Sequence, residues 1–393
     1  MGRQFEFRRA ERISGIALSE IVQISEKARQ LRSDGRDIIS LSTGEPDFPT
    51  PRHVIEAAHK AALEGQTKYP PTAGAAALRD AIAADAGCER ENVIVSTGAK
   101  QVLANVMLAT LNAGDEVVIP APFWTSYSDI VGMAGGVPVT VSCPMSEGFK
   151  LTPDKLEAAI TPKTRWVMLN SPSNPSGAIY TAEEIETLSN VLVRHPDVWV
   201  LSDEIYEHLS FEEFTSFVHA APDLRQRTLI VNGVSKAWAM TGWRLGWGIG
   251  PADLVGAMTA VQGQVTSGAC AISQAAALAA LTGCQDLLAE RRQNFLERRD
   301  FVVACLNAMP GVNCPVPDGA FYVFPDIAEL IEAGRFANDA AVCDWLLTEA
   351  QVAMVPGRAF GLSGYARISF AYARADLERG MDRMAAAIGR LKS

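Results

Sequence analysis

The feature that most constrains this chain is an alternation, from about residue 46 to residue 290, of short apolar runs with amphipathic helical patterns. The runs Val93–Ser96, Glu116–Ile119, Arg165–Leu169, Trp199–Ser202, Thr228–Val231 and Leu245–Ile249 are each four or five residues long. They are too short to span a bilayer and too continuously apolar for a half-exposed strand, so they read as strands buried on both faces. Helical patterns lie between them, as at Gln101–Leu111 and Ala182–His195. Strand and helix in alternation predict an α/β unit, a mostly parallel sheet with helices on both sides.

The texture changes after about Gly283. A charged helix over Leu288–Asn307 leads to Gly- and Pro-containing sequence and then to short strands around Ala320–Phe324 and Ala366–Phe370. This predicts a smaller α+β domain. The chain thus divides into an N-terminal arm and first helix (1–45), a large domain (46–290) and a small domain (291–393). The helix near Glu20–Arg32 is expected to pack with the small domain. A length of 393 residues with 48% hydrophobic content is enough for about two such cores.

Charge and cysteine usage narrow the partners. The net charge of −10 disfavours nucleic acid or an anionic membrane surface as partner, although local donors can still hold a phosphate. Seven cysteines form no CxxC pair and no Cys/His cluster with zinc spacing, which suits reduced thiols and no metal. The first residues carry charge but no apolar core, so no secretory signal is expected and the cytoplasm is the expected compartment.

Open α/β sheets bind ligands beyond the carboxyl ends of their strands, so the polar residues there are the first candidates for chemistry. After Val93–Ser96 comes Thr97-Gly98-Ala99-Lys100 at a helix start, either a phosphate seat of backbone N–H groups or an ordinary turn. After Arg165–Leu169 comes NSPSNPSG, in which two prolines enforce extended backbone and Asn174 offers both donor and acceptor. After Trp199–Ser202 come Asp203 and Tyr206; the acid either caps a helix at the surface or holds a pyridinium proton. After Thr228–Val231 come Ser235 and Lys236 within the apolar AWAMTGWRLGW. Burial among Trp238, Met240 and Trp243 would lower the amine pKa and suit a Schiff-base nucleophile.

Together these segments resemble the class I aminotransferases of pyridoxal phosphate (PLP) fold type I, most closely the bacterial branch that includes aspartate and prephenate aminotransferases. STGEPDFPTP, TKYPPTAG, STGAKQ, NSPSNPSG, SDEIYEHL and NGVSKAWAMTGWRLG carry the likeness, which runs from about Leu41 to Phe370. It implies a seven-stranded sheet in the large domain, PLP as cofactor, and amino acid and 2-oxo acid substrates. By the same resemblance Lys236 carries the cofactor as a Schiff base and later moves the substrate proton. Asp203 pairs with the ring nitrogen, and Tyr206 and Asn174 contact the ring's 3-oxygen. Trp124 stacks on the ring. Gly98, Ala99 and Lys100 (mainly through backbone N–H groups), with Ser235 and Arg244, hold the phosphate. Tyr69 reaches the neighbouring subunit's cofactor, which implies a homodimer with shared sites. Arg367 grips the substrate α-carboxylate, helped by Asn174 and the Gly44 backbone.

Two departures stand out. Gly233 occupies a position where the family often has Ser or Thr. The first helix reads Ala17-Leu18-Ser19-Glu20-Ile21 where dicarboxylate-binding relatives carry a basic residue and Ser/Thr, and a lysine that some relatives carry later, in the helix after STGAKQ, is missing from Asn105-Val106-Met107-Leu108. A pocket near Ile16 and Ile21 without a cation predicts weaker selectivity for aspartate than a dedicated dicarboxylate enzyme shows. Aspartate or glutamate leads as amino donor, with a 2-oxo acid such as 2-oxoglutarate as acceptor. An aromatic or other apolar donor is the alternative, and a PLP lyase on the same fold is another. A dinucleotide oxidoreductase would need GxGxxG between a first strand and its helix; Gly246-Trp247-Gly248-Ile249-Gly250 sits late in the domain inside a strand-like run. A PLP-binding transcription regulator would need an added basic helix-turn-helix domain.

Overall fold

The computed structural model describes residues 7–16 and 18–391. The expectations for the first six residues of the arm, for Ala17 and for the last two residues fall outside that range.

Twelve strands are present among the described residues. Strands β2 (Val93–Ser96), β3 (Glu116–Ala121), β4 (Val137–Ser142), β5 (Thr164–Asn170), β6 (Trp199–Asp203), β7 (Thr228–Gly233) and β8 (Gly246–Ile249) form one sheet in the order β2-β8-β7-β6-β5-β3-β4. Only β8 runs antiparallel to its neighbours, pairing with β2 on one side and β7 on the other. β4 was not anticipated. It is the exposed one of the two edge strands, its residues half-buried or exposed, so it lacks the continuous apolar run that marks the buried strands.

Alternate residues of the inner strands enter different cores, as a period of two requires. Val117 and Ile119 pack with helix Ala99–Thr110 and helix Ala252–Val265, through Val102, Val106, Leu254 and Met258. Val118, Val167 and Val200 face the other way, onto Ile185 and Leu188 of helix Ala182–Leu192. Val93 and Val95 meet Leu78, Ile82, Ala276 and Ala277 of helices Ala76–Ala86 and Ala271–Thr282. The sheet is therefore covered on both faces.

A second core gathers around Phe295, Val302, Val342, Leu346, Ile368 and Met384. Strands β9 (Tyr322–Val323), β11 (Val355–Pro356) and β12 (Ala366–Ser369) form an antiparallel sheet in the order β11-β12-β9. Strand β1 (Ile39–Ser40) pairs in parallel with β10 (Val352–Ala353). Helix Glu20–Ser33, capped by the Ser19 hydroxyl accepting from the Val22 N–H, buries Ala28 against Ile38, Leu347 and Ala353. Among the described residues no helix is long and apolar enough to cross a membrane.

Candidate active site

The carboxyl ends of β5, β6 and β7 open onto one cleft of about 350 Å³. Its walls include Asn170 at the end of β5 and Asn174 beyond it, Asp203 at the end of β6 and Tyr206 beyond it, and Ser235 and Lys236 after β7. Ala99, Lys100, Trp124 and Arg244 close one side, and Gly44, Tyr322 and Arg367 another. Tyr69 is not among these residues; its side chain is 90% exposed.

Lys236 is half-buried, and its Nζ donates to the Gly44 carbonyl at 2.9 Å. It forms no ion pair among the described residues. Burial, and then the nearby Arg367 and Arg244 charges, hold its amine down at about 8, against a weaker upward pull from Glu45 and Asp203. Roughly a tenth of that amine is then unprotonated at pH 7, far more than at the ordinary lysine value, as suits a nucleophile.

Asp203 ends β6 and is 4% exposed, so it is no surface cap. Its Oδ2 accepts from the Tyr127 hydroxyl at 2.7 Å and its Oδ1 from the Ile205 N–H at 3.2 Å. Burial pushes its carboxyl up to about 6, and the two hydrogen bonds oppose that shift. The Tyr206 hydroxyl lies 3.1 Å from that of Tyr322.

Arg367, central in β12, is 1% exposed. Its Nη1 donates to Asn174 Oδ1 at 3.0 Å, its Nη2 donates to the Ser42 carbonyl, and its Nε has no partner. Its guanidinium lies over the Tyr322 ring, 4.5 Å from the centroid, and 4.9 Å from that of Phe360. A buried guanidinium with an idle donor in a cleft is a ready carboxylate receptor.

The turn at Gly98 has the makings of an anion seat. Gly98 is left-handed (φ 80°), and a Cβ there would lie 2.6 Å from Arg244 Nη2. The Gly98 N–H is already spent on the Ser96 carbonyl at 2.7 Å. The donors that remain are the first-turn N–H groups of Ala99 and Lys100, at the positive end of helix Ala99–Thr110. Gly98 therefore supplies room for Arg244 rather than a donor. Gly233 has its own steric reason: it faces Gly246 across the β7–β8 ladder, and a Cβ there would meet the Gly246 Cα at 2.9 Å.

Several cleft residues escaped the sequence reading, three of them polar groups deep in the site. Tyr127, Tyr322 and Asn170 all line the cleft. In sequence the two tyrosines read as ordinary core aromatics, although Tyr322 follows GAF in a predicted strand. The first helix contributes Ile21 to the wall but not Ile16, and Glu20 pairs with Arg358 at 2.8 Å. No lysine stands at 105–108, but Lys100, within STGAKQ itself, reaches the cleft: its Nζ lies 4.6 Å from the Trp124 ring centroid. Among the described residues no His/Cys/Asp/Glu group is arranged to hold a metal ion.

The donor set suits PLP. A half-buried amine, a buried carboxylate, free helix N–H groups beside an arginine, and a flat aromatic at Trp124 match an aldehyde, a ring nitrogen, a phosphate and a ring face.

Comparison with known proteins agrees. Residues 36–384 match the family model described as aminotransferase class I and II. The chain is 50% identical to an aspartate aminotransferase of Rhizobium meliloti strain 1021, over 98% of this chain and 97% of that one. It is also 50% identical to an aspartate/prephenate aminotransferase of Cereibacter sphaeroides, over 93% and 94% of the two chains. Among solved structures, the aspartate aminotransferase of Rhizobium meliloti superposes with a TM-score of 0.94 at 50% identity, covering 98% of this chain and all of that one. That of Thermus thermophilus with maleate gives 0.91 at 39% identity, covering 97% and 100%. The fold is PLP fold type I, and the chain belongs to the class I and II aminotransferases, PLP-dependent enzymes that move an amino group between an amino acid and a 2-oxo acid.

Proposed function

We propose that the Lys236 cleft is the transamination site, that aspartate or glutamate is the amino donor, and that a 2-oxo acid such as 2-oxoglutarate is the acceptor. The observation that carries the site is a half-buried lysine amine, without an ion-pair partner among the described residues, sharing one cleft with the buried Asp203 and Arg367. When bound, PLP supplies an aldehyde that exchanges amines and a ring that takes up the electron pair released at the substrate Cα.

The chain's residues then divide the work. Lys236 holds the cofactor and, once the incoming amine displaces it, carries the proton from the substrate Cα. Asp203 keeps a proton on the ring nitrogen. Tyr206 and Asn174 address the ring's 3-oxygen, and Trp124 lies against the ring face. Ser235, Arg244 and the N–H groups of Ala99 and Lys100 take the phosphate, with Gly98 making room. Arg367 takes the substrate α-carboxylate, with Asn174 and the Gly44 backbone beside it.

The donor assignment rests on two supports. Similar proteins bear the names aspartate and aspartate/prephenate aminotransferase, and one was solved with maleate, a dicarboxylate. Lys100 is a cation on the cleft wall that a second carboxylate could meet. Ile21 on the same wall favours the second reading, an apolar donor. The exposed Tyr69, remote from its own cleft, favours a homodimer in which it serves the partner's site. We infer a cytoplasmic enzyme, and the seven free cysteines support that reading.

The test mixes PLP-loaded enzyme with single amino acids and follows loss of the cofactor absorbance. Aspartate and glutamate are expected to react fastest. A faster response to phenylalanine or leucine would move the assignment to apolar donors, and release of ammonia with no 2-oxo acid present would make the enzyme a lyase.

A further inference from the structure

The residue that holds Asp203 in place comes from a different element. Tyr127 lies in the first turn of helix Ser126–Met133, and its N–H donates to the Trp124 carbonyl at 2.9 Å. Its ring meets that of Trp124 edge to face, centroids 5.6 Å apart at 89°. It is 2% exposed, so its hydroxyl has no bulk water to turn to. That hydroxyl is 2.7 Å from Asp203 Oδ2.

We propose that Tyr127 is the positioning residue of the ring-nitrogen carboxylate: its phenol donates to Asp203 Oδ2, keeps the buried acid ionised, and fixes the plane in which it meets the cofactor. This rests on the role proposed above for Asp203.

The physical argument is one of compensation. A carboxylate 4% exposed is held ionised only by what surrounds it. Four titratable groups bear on Asp203. Lys236 and Tyr127 favour the ionised form, Lys236 by its charge and Tyr127 by its hydrogen bond, whereas Glu204 is a neighbouring acid and Tyr206 a neighbouring phenol. Lys236 cannot be the lasting support, because its amine is needed for the chemistry. The Ile205 N–H occupies Oδ1 at 3.2 Å, a longer contact. That leaves Tyr127 as the short donor that persists through turnover. Burial and the Asp203 charge hold its own proton on well beyond the usual phenol range, so it remains a donor at every working pH.

The test is Tyr127→Phe, which removes the hydroxyl and keeps the ring on Trp124. In the apoenzyme Asp203 titrates higher folded than unfolded. Its destabilising effect is therefore absent below the ordinary carboxylate range and fully present above the folded value. Losing a hydrogen bond to a charged group should raise that value by about one to two pH units. The Tm gap between wild-type and Tyr127→Phe apoenzyme should thus widen from pH 5 to pH 8, and it should lose its pH dependence when both proteins also carry Asp203→Asn. In the holoenzyme kcat should fall about tenfold to a hundredfold while KM for the amino acid stays roughly constant, the signature of an interaction that matters in the transition state. A Tm gap independent of pH, or a Tyr127→Phe enzyme with unchanged kcat, overturns the proposal. Near-normal turnover of Asp203→Asn alone would instead sink the role given to Asp203, while a pH-dependent gap would still show the tyrosine and the acid to be coupled.

Discussion

Arg367 and Asn174 are hydrogen-bonded across the cleft, Nη1 to Oδ1 at 3.0 Å, so an arginine of the antiparallel β12 sheet is tied to the loop that follows β5. Two of the five guanidinium N–H donors are thereby engaged within the protein, one on Asn174 and one on the Ser42 carbonyl, and Nε is idle. A substrate carboxylate arriving here meets a charge already oriented.

Replacing Arg367 with methionine is expected to lower kcat/KM for every amino acid, since all share the α-carboxylate. The loss should be roughly 2–5 kcal/mol, by analogy with truncated buried charge pairs. Steady-state kinetics with aspartate, glutamate and phenylalanine check this; a loss confined to the dicarboxylates would give Arg367 a different role.

Lys100 is expected to act on the side chain instead. Lys100→Met should reduce kcat/KM for aspartate by about tenfold or more, the worth of a partly buried ion pair, and leave that for leucine within about twofold. In the wild type, the aspartate-to-leucine ratio gauges the distal cation. A ratio above about a thousand, or roughly 4 kcal/mol, would overturn the weak selectivity that the first helix suggests.

The Lys236 amine, held at about 8, makes cofactor capture pH-dependent. The rate at which apoenzyme takes up PLP should rise through about pH 8 and then level, as the neutral amine accumulates. The sign for stability is the same: between that value and about 10.4 the unfolded chain binds more protons, so the apoenzyme gains stability as pH rises. Lys236→Met should flatten both trends, and borohydride reduction of the wild-type holoenzyme should label this lysine alone.

Gly98→Ala should weaken PLP binding more than it weakens the fold. The left-handed backbone penalises alanine by about 1 kcal/mol, and the new methyl would drive Arg244 from its place. Equilibrium dialysis should show a Kd raised about tenfold or more, and an unchanged Kd would remove Arg244 from the phosphate's surroundings.

Tyr69→Phe is expected to bind PLP more weakly rather than to lose the chemistry outright, so at limiting PLP, where it is poorly active, mixing it with an inactive Lys236→Ala enzyme should restore activity. Each hybrid dimer would hold one site with both residues intact, so recovery should approach about a quarter of wild type at equal mixing if subunits exchange freely. If Tyr69→Phe alone retains activity, weaker PLP retention is the readout. An enzyme that is fully active while sedimenting as a monomer would refute the shared site.

How much of this was legible depended on where each residue's partner lies. The inner strands showed themselves because burial on both faces writes a continuous apolar run. β4 did not, because VPVTVS at the sheet edge is half exposed. The two-residue strands β1, β10 and β11 carry no periodicity to read, and β1 meets its partner β10 only near the other end of the chain; β9 falls within the short strand expected around Ala320–Phe324. Lys236 and Asp203 stood out as charged residues closing apolar runs. Tyr127 and Tyr322 did not, because a tyrosine acquires a role only from what faces it: Asp203 lies 76 residues from Tyr127, and Tyr206 lies 116 from Tyr322. Arg367 emerged only through family resemblance, since an arginine in a short strand otherwise reads as a surface residue.

The turn at Gly98 has an evolutionary consequence. Its useful donors are main-chain groups, and its shape depends on the absence of a side chain. A point mutation elsewhere in the cleft can exchange Ile21, Lys100 or Trp124 for another side chain, but none can exchange a peptide N–H. What this end of the cleft holds is therefore beyond the reach of most single side-chain exchanges, while the lining is not. A lineage built this way can try new diets one codon at a time without giving up its coenzyme.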